Sequence, residues 1–176
     1  MVKFLKFLAY TLFFFFVFLA FFPKENFFYL MEKEASNYSV VISNETLHSK
    51  LFGFELEGAS LSYEGIEVAT IKKADLLFLL VYNHIDLQNI ELSSLVQGYM
   101  PQKIASCQLS YSLLHPLTPR AVMRGSFGEL HAVYDLQKSS LLLLLKPSKL
   151  MLKEHRNSLR YFKKLQNGEY SYEKSL

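Results

Sequence analysis

The chain has 176 residues, of which 51% are hydrophobic, 15% aromatic and 20% charged, with a single cysteine. That apolar share excludes an intrinsically disordered chain, and a lone cysteine excludes an internal disulfide framework or a cysteine-rich zinc module. Residues 1–22 carry two bases and no acid, residues 23–145 nine bases against thirteen acids, and residues 146–176 eight bases against three acids; a body so acidic argues against a nucleic-acid partner.

Residues 7–22, FLAYTLFFFFVFLAFF, hold no charge. Extended back to Phe4, the run crosses only Lys6, whose stem can snorkel to the headgroups. About 19 residues at 1.5 Å each reach roughly 28 Å, enough for a bilayer core, and lipid obliges the backbone to be helical. Cleavage of a signal peptide needs small residues before the cut. Ala20-Phe21-Phe22-Pro23-Lys24-Glu25 offers no A-x-A pattern, so residues 1–22 are expected to remain as a transmembrane anchor. Lys3 and Lys6 precede the run, while Lys24 and Glu25 cancel after it. The positive-inside rule then puts the N-terminus in the cytoplasm and the rest beyond the membrane. No second run of comparable length follows, so a single pass is expected.

Residues 23–37 predict a juxtamembrane helix, with Pro23 and Glu25 suited to its first turn. Phe27, Leu30, Met31 and Glu34 fall at i, i+3, i+4 and i+7, a short apolar stripe. Phe28 and Tyr29 are expected at the headgroup level.

From Tyr38 the period changes to 2, and residues 38–146 predict an antiparallel β domain. Ser39–Ser43 is a β-branched run. Phe52, Phe54 and Leu56 alternate with Gly53, Glu55 and Glu57. After Gly58 the apolar parity moves to Ala59, Leu61 and Tyr63, the mark of a bulge or bend. Glu64-Gly65 is a turn signal and Ile66–Lys72 a strand. Asp75–Tyr82 predicts a strand buried on both faces, Asn83-His84 an interruption, and Asn89 a second change of parity. Ala105, Cys107, Leu109, Tyr111 and Leu113 alternate with polar residues, and so do Leu130, Ala132, Tyr134 and Leu136. Leu141–Leu145 is a last apolar strand. About nine short strands without intervening helices predict an antiparallel meander, open or closed.

Residues 147–176 form a basic tail segment. Over 148–166 the spacing predicts an amphipathic helix capped by Ser148 and stopped before Gly168. Lys149, Lys153, Arg156, Arg160, Lys163 and Lys164 crowd one side of it, a face suited to an anionic surface or to water. Gly168–Glu173 is a candidate closing strand.

Catalytic chemistry is not indicated. The five histidines, His48, His84, His115, His131 and His155, lack the spacing of a metal site on one element. Cys107 lies on the apolar parity of its strand, as a small buried hydrophobe does. Glu55, Glu57, Glu64 and Glu67 read as the solvent side of strands. No nucleophile elbow or phosphate loop is present, and neither enzyme activity nor a cofactor is expected.

Several of these features together resemble the type II secretion system protein N family, within the wider AsmA-like group of membrane-anchored, β-rich envelope proteins. They are the single anchor, the exit Phe22-Pro23-Lys24 with a helix ending near Asn37, Gly53-Phe-Glu-Leu-Glu-Gly58, Ala59-Ser-Leu-Ser62 and Ile66-Glu-Val68. Ile71–Leu77, Ile85-Asp-Leu87, Gly125-Ser-Phe-Gly128 and Tyr134-Asp-Leu136 complete the pattern. The resemblance implies a curved antiparallel sheet, a half-barrel or open β-groove with an apolar inner side, in a bacterial inner-membrane protein whose domain is periplasmic. It implies an assembly role among other envelope proteins in a secretion-like system, or binding of phospholipid acyl chains. Phe52, Phe54, Leu56, Leu109, Tyr111, Leu130 and Tyr134 would form the core of such a sheet or line its groove.

Overall fold

The computed structural model describes residues 2–79, 81–95 and 101–175. Helix α1, Val2–Phe21, is long and apolar enough to cross a membrane, and none of its residues is buried. Helix α2 is Lys24–Ser36. The strands are β1 (Val40–Ser43), β2 (Thr46–Lys50), β3 (Gly53–Tyr63), β4 (Ile66–Phe78), β5 (Tyr82–Leu92), β6 (Lys103–Ser112), β7 (Arg120–Gly125), β8 (Gly128–Asp135) and β9 (Ser140–Pro147). Helix α3 (Lys149–Glu154), a 3-10 turn (Arg156–Tyr161), β10 (Lys163–Lys164) and β11 (Tyr170–Ser175) follow.

All eleven strands belong to one antiparallel open sheet, ordered β1-β3-β4-β5-β6-β7-β8-β9-β11-β10, with β2 also on β3. Strands β3 to β9 form a meander in which each pairs with the next. The chain then passes over α3 and the 3-10 turn before β11 returns against β9, Tyr170 opposite Leu145.

Alternation gave the strands their faces, but their boundaries differ from expectation. Ile66–Lys72 and Asp75–Tyr82 are not two strands: Ile66–Phe78 is one strand of 13 residues, and Tyr82 opens the next. Asn83-His84 pairs within β5 rather than interrupting it. Asp75 also shows that β4 is not apolar on both sides, since its carboxylate meets Lys50.

The largest correction concerns the basic segment. Its helix over 148–166 does not exist as one piece: α3 covers six residues, and Lys163 and Lys164 lie in β10. Ser148 does cap, accepting a hydrogen bond from the Met151 amide. Gly168, at φ +84°, belongs to the turn between β10 and β11. The segment buries Met151 and Leu159 against the sheet and adds two strands to it. These strands extend the edge and do not close the sheet.

A crease crosses the sheet. Asn44 (φ +63°), Gly58 (φ +71°) and Asn89 (φ +53°) are all left-handed. In register, position 58 of β3 faces the gap between β1 and β2 on one side and Lys72 on the other. Lys72 in turn lies opposite Asn89, and Asn89 opposite Ala105, where the pairing of β6 with β7 shifts. At this line the inward set moves by one residue. Leu56 gives way to Ala59, Ala74 to Ile71, Leu87 to Ile90 and Cys107 to Ile104. Ala105 is therefore exposed, against the simple alternation of its strand. Left-handed backbone is open to Gly and Asn at small cost, which is why these residues stand where the slip occurs.

Two apolar clusters result, on the same face. One gathers Phe28, Phe54, Leu56, Ala74 and Leu76 under α2. The other gathers Ala69, Ile90, Ile104, Phe127 and Leu145 under Met151 and Leu159. Ile71 and Leu87 pack against both.

Candidate apolar groove

Helix α2 lies on the sheet through residues 28, 31 and 35, one turn apart. Phe28 is buried to 3% exposure, which overturns its expected place at the headgroups. Its ring meets Phe54 edge-on at 5.5 Å between centroids. Leu30, expected in the apolar stripe, is 62% exposed.

Beyond Phe28 the helix does not settle fully on the strands. A cavity of about 280 Å³ remains between Met31 and Ala35 on α2, Ile42 on β1, Leu56, Ala59 and Leu61 on β3, and Ile71, Ala74 and Leu76 on β4, with Ile85 and Leu87 of β5 as its far wall. Among its lining residues only Ser60 has a polar side chain, and Asn44 Nδ2 donates to its hydroxyl at 3.4 Å. The cavity sits at the small end of the roughly 300–1,000 Å³ usual for ligand pockets. No titratable group is among its lining residues, and the cavity suits apolar matter.

The apolar face continues past the cavity. Leu109 is opposite Ile85 and Cys107 opposite Leu87. Leu109 in turn faces Ala121, Ala121 faces Ala132, and Ala132 faces Leu143. Leu109 is 40% exposed, so this strip between the two helical covers is open.

A train of phenyl rings connects α1 to this site, beginning with Phe18 of α1 against Phe22 at 5.8 Å. Phe22 meets Phe27 at 5.9 Å, Phe27 meets Phe78 at 5.1 Å, and Phe78 meets Phe54 at 5.6 Å.

The sequence-derived lining residues have different fates. Leu56 lines the cavity, and Phe54 is wholly buried behind it in the core. Phe52 lies in the turn before β3, against Phe16 of α1, outside the groove. Leu130 packs on the second cluster. Tyr111 lines a separate polar cleft with Tyr82, His115 and Arg120. Tyr134 lies on the apolar face opposite Leu141. The six basic residues are spread over three elements rather than one helix: Lys149 and Lys153 are on α3, Arg156 and Arg160 on the 3-10 turn, and Lys163 and Lys164 on β10.

Missed by sequence reasoning were Met31 and Ala35 as lining, and β4 and β5 as the floor. The available signal was the spacing Phe28, Met31, Ala35, which the stripe through Phe27, Leu30, Met31 and Glu34 does not follow.

Charge is kept on the opposite face. Glu55 accepts from Lys50 at 2.6 Å and from Lys73 at 2.8 Å, and Lys50 also meets Asp75. Hydrogen bonds from Lys50 and then Lys73 pull the Glu55 carboxyl down to about 2. Glu55 was expected simply to face solvent, yet its side chain is only 12% exposed. Burial raises the Cys107 thiol above its ordinary value, followed by the charge of Asp86. Arg124 chiefly, with His131, lowers the Glu129 carboxyl.

Comparison with protein-family models, curated proteins and solved structures finds no match to this chain.

Proposed function

We propose that this protein is a bacterial inner-membrane protein, held by α1 with its N-terminus in the cytoplasm, whose periplasmic sheet forms an open β-groove that receives a phospholipid acyl chain. The observation that carries this is the cavity between α2 and the sheet, apolar on all sides except Ser60 and continuous with the open strip through Leu109. Each methylene that leaves water for such a site gains about 0.8 kcal/mol. The groove ends at the helix that joins the domain to α1, so the site and the source of lipid are adjacent in the chain.

The test is a photoactivatable phospholipid, with its diazirine far along the acyl chain, in vesicles carrying the full-length protein. Adducts are expected on α2 near Met31 and on β5 near Leu87, beside those on α1. Ala35→Phe, which fills the cavity with apolar bulk, should remove the α2 and β5 adducts and leave those on α1. Adducts confined to α1 in the unsubstituted protein would refute the groove.

A second reading has its own observation. The sheet is open, with β1 and β2 at one edge and β10 at the other, and exposed edges accept strands from partners. An assembly role in a secretion-like envelope machine, in the manner of type II secretion system protein N, would use them. Co-purification of other envelope proteins, lost on placing proline in β2 at Ser49, would favour it.

A further inference from the structure

Four connections lie at one end of the sheet: Leu51-Phe52 before β3, the one after β4 that includes Leu79 and Val81, residues 113–119 after β6 and residues 136–139 after β8. The pairings Gly53–Leu77, Phe78–Asn83, Tyr82–Ser112, Arg120–Val133 and Asp135–Ser140 fix them there. Their described residues include no acid, and they expose Leu51 (55%), Val81 (59%), Leu113 (53%), Leu114 (81%), Leu117 (48%) and Leu136 (46%). Turns ordinarily collect polar residues, and monomeric proteins seldom present so many large apolar side chains at one end. At the opposite end the β3–β4 turn is Glu64-Gly65, with Glu67 and the exposed Tyr63 and Ile66 beside it.

The position of α1 says what covers these turns. Phe16 meets Phe52 edge-on at 5.6 Å. Phe16 lies five residues before the end of α1 at Phe21, about 7.5 Å along a helix axis. If α1 fills the hydrocarbon core, the β2–β3 turn stands below the outer boundary of that core, and its three companion turns share its end of the sheet. Beside them Tyr82, His115 and Arg120 line a polar cleft, the mixture of aromatic and basic groups that suits the headgroup layer. Arg120 has no ion pair among the described residues.

We infer that the turn end of the sheet is seated in the outer leaflet of the bilayer crossed by α1, its leucines among the acyl chains and Arg120 at the phosphates. The domain then stands upright on the membrane, and its apolar face opens into lipid. This rests on α1 being an uncleaved anchor and does not require that the groove bind lipid.

The test uses the full chain in phosphatidylethanolamine–phosphatidylglycerol vesicles, with Cys107→Ser as background. Single cysteines at Leu114, Leu136, Glu64 and Phe13 carry an environment-sensitive fluorophore, and lipids with a spin-labelled acyl chain act as quenchers. All four positions but Phe13 are exposed turn sites, so labelling leaves the fold intact. Labels at Leu114 and Leu136 should be blue-shifted and quenched best by shallow spin labels, the Glu64 label should report water, and the Phe13 label should be quenched by deep ones. Aqueous labels at Leu114 and Leu136 with a quenched Phe13 would overturn the seating alone. An aqueous Phe13 label would overturn the anchor and the seating with it.

Discussion

Glu55 stands between Phe54 and Leu56 in the chain, and its carboxylate lies on the opposite side of the sheet from them. Lys50 and Lys73 depress its folded-state value from 4.5 to about 2. A carboxylate depressed by folding contributes stability that is complete above its unfolded value and is lost as pH falls through the folded one. Glu55→Gln should therefore lower the urea midpoint at neutral pH, and the difference from the parent should shrink as pH drops from about 4.5 to about 2. A constant gap across that window would show that the ion pairs of Glu55 with Lys50 and Lys73 are not the source. Its neighbour tests packing instead. Phe54→Ala removes a ring with no exposure, and such truncations cost about 3–5 kcal/mol. Phe52→Ala removes a half-buried ring outside the sheet and should cost roughly 1 kcal/mol. Equal losses from the two, measured by chemical unfolding, would contradict the placement of Phe52.

Among the elements, the strands that crease together carry the sheet's least ordinary backbone. Asn89 at φ +53° sits inside β5. A β-branched residue there meets its own carbonyl, at a cost of roughly 1–2 kcal/mol, whereas glycine does not. Asn89→Val should destabilise, and Asn89→Gly should leave the unfolding free energy from urea titration within a few tenths of a kcal/mol of the parent. If valine is tolerated, the left-handed turn at the crease is not required. The parity slips at Gly58 and Asn89 were readable in the sequence, because alternation is a local property. That they align with Asn44 and Ala105 was not, since strand register depends on partners far along the chain. The basic segment misled for the same reason. Its spacing was helical over 148–166, but Phe162 packs on Tyr172 and Lys163 pairs with Ser171, so a hairpin won over helical propensity. Helix α2 was found, while its role as a wall of the cavity depended on β4 and β5 beneath it.

Across the whole molecule, the sheet has two helical covers on one face, a gap between them, and α1 outside the fold. None of α1 is buried; its Phe16 meets Phe52 of the domain, and Phe22, just past its end, meets Phe27. The clusters that hold the sheet draw on residues from 27 onward. Removing residues 2–22 should thus leave the urea midpoint of the domain nearly unchanged while freeing its apolar turns to find other cover. Exposed leucines at Leu113, Leu114 and Leu117 then have two ways out of water, another copy of the domain or a micelle. Sedimentation of residues 24–176 should show self-association in buffer and a single species once a mild detergent is above its micelle concentration. Replacing Leu113, Leu114 and Leu117 together by serine should abolish the association without moving the midpoint. A shortened domain that stays monomeric in buffer would mean that these turns tolerate water, and would count against their seating in a bilayer.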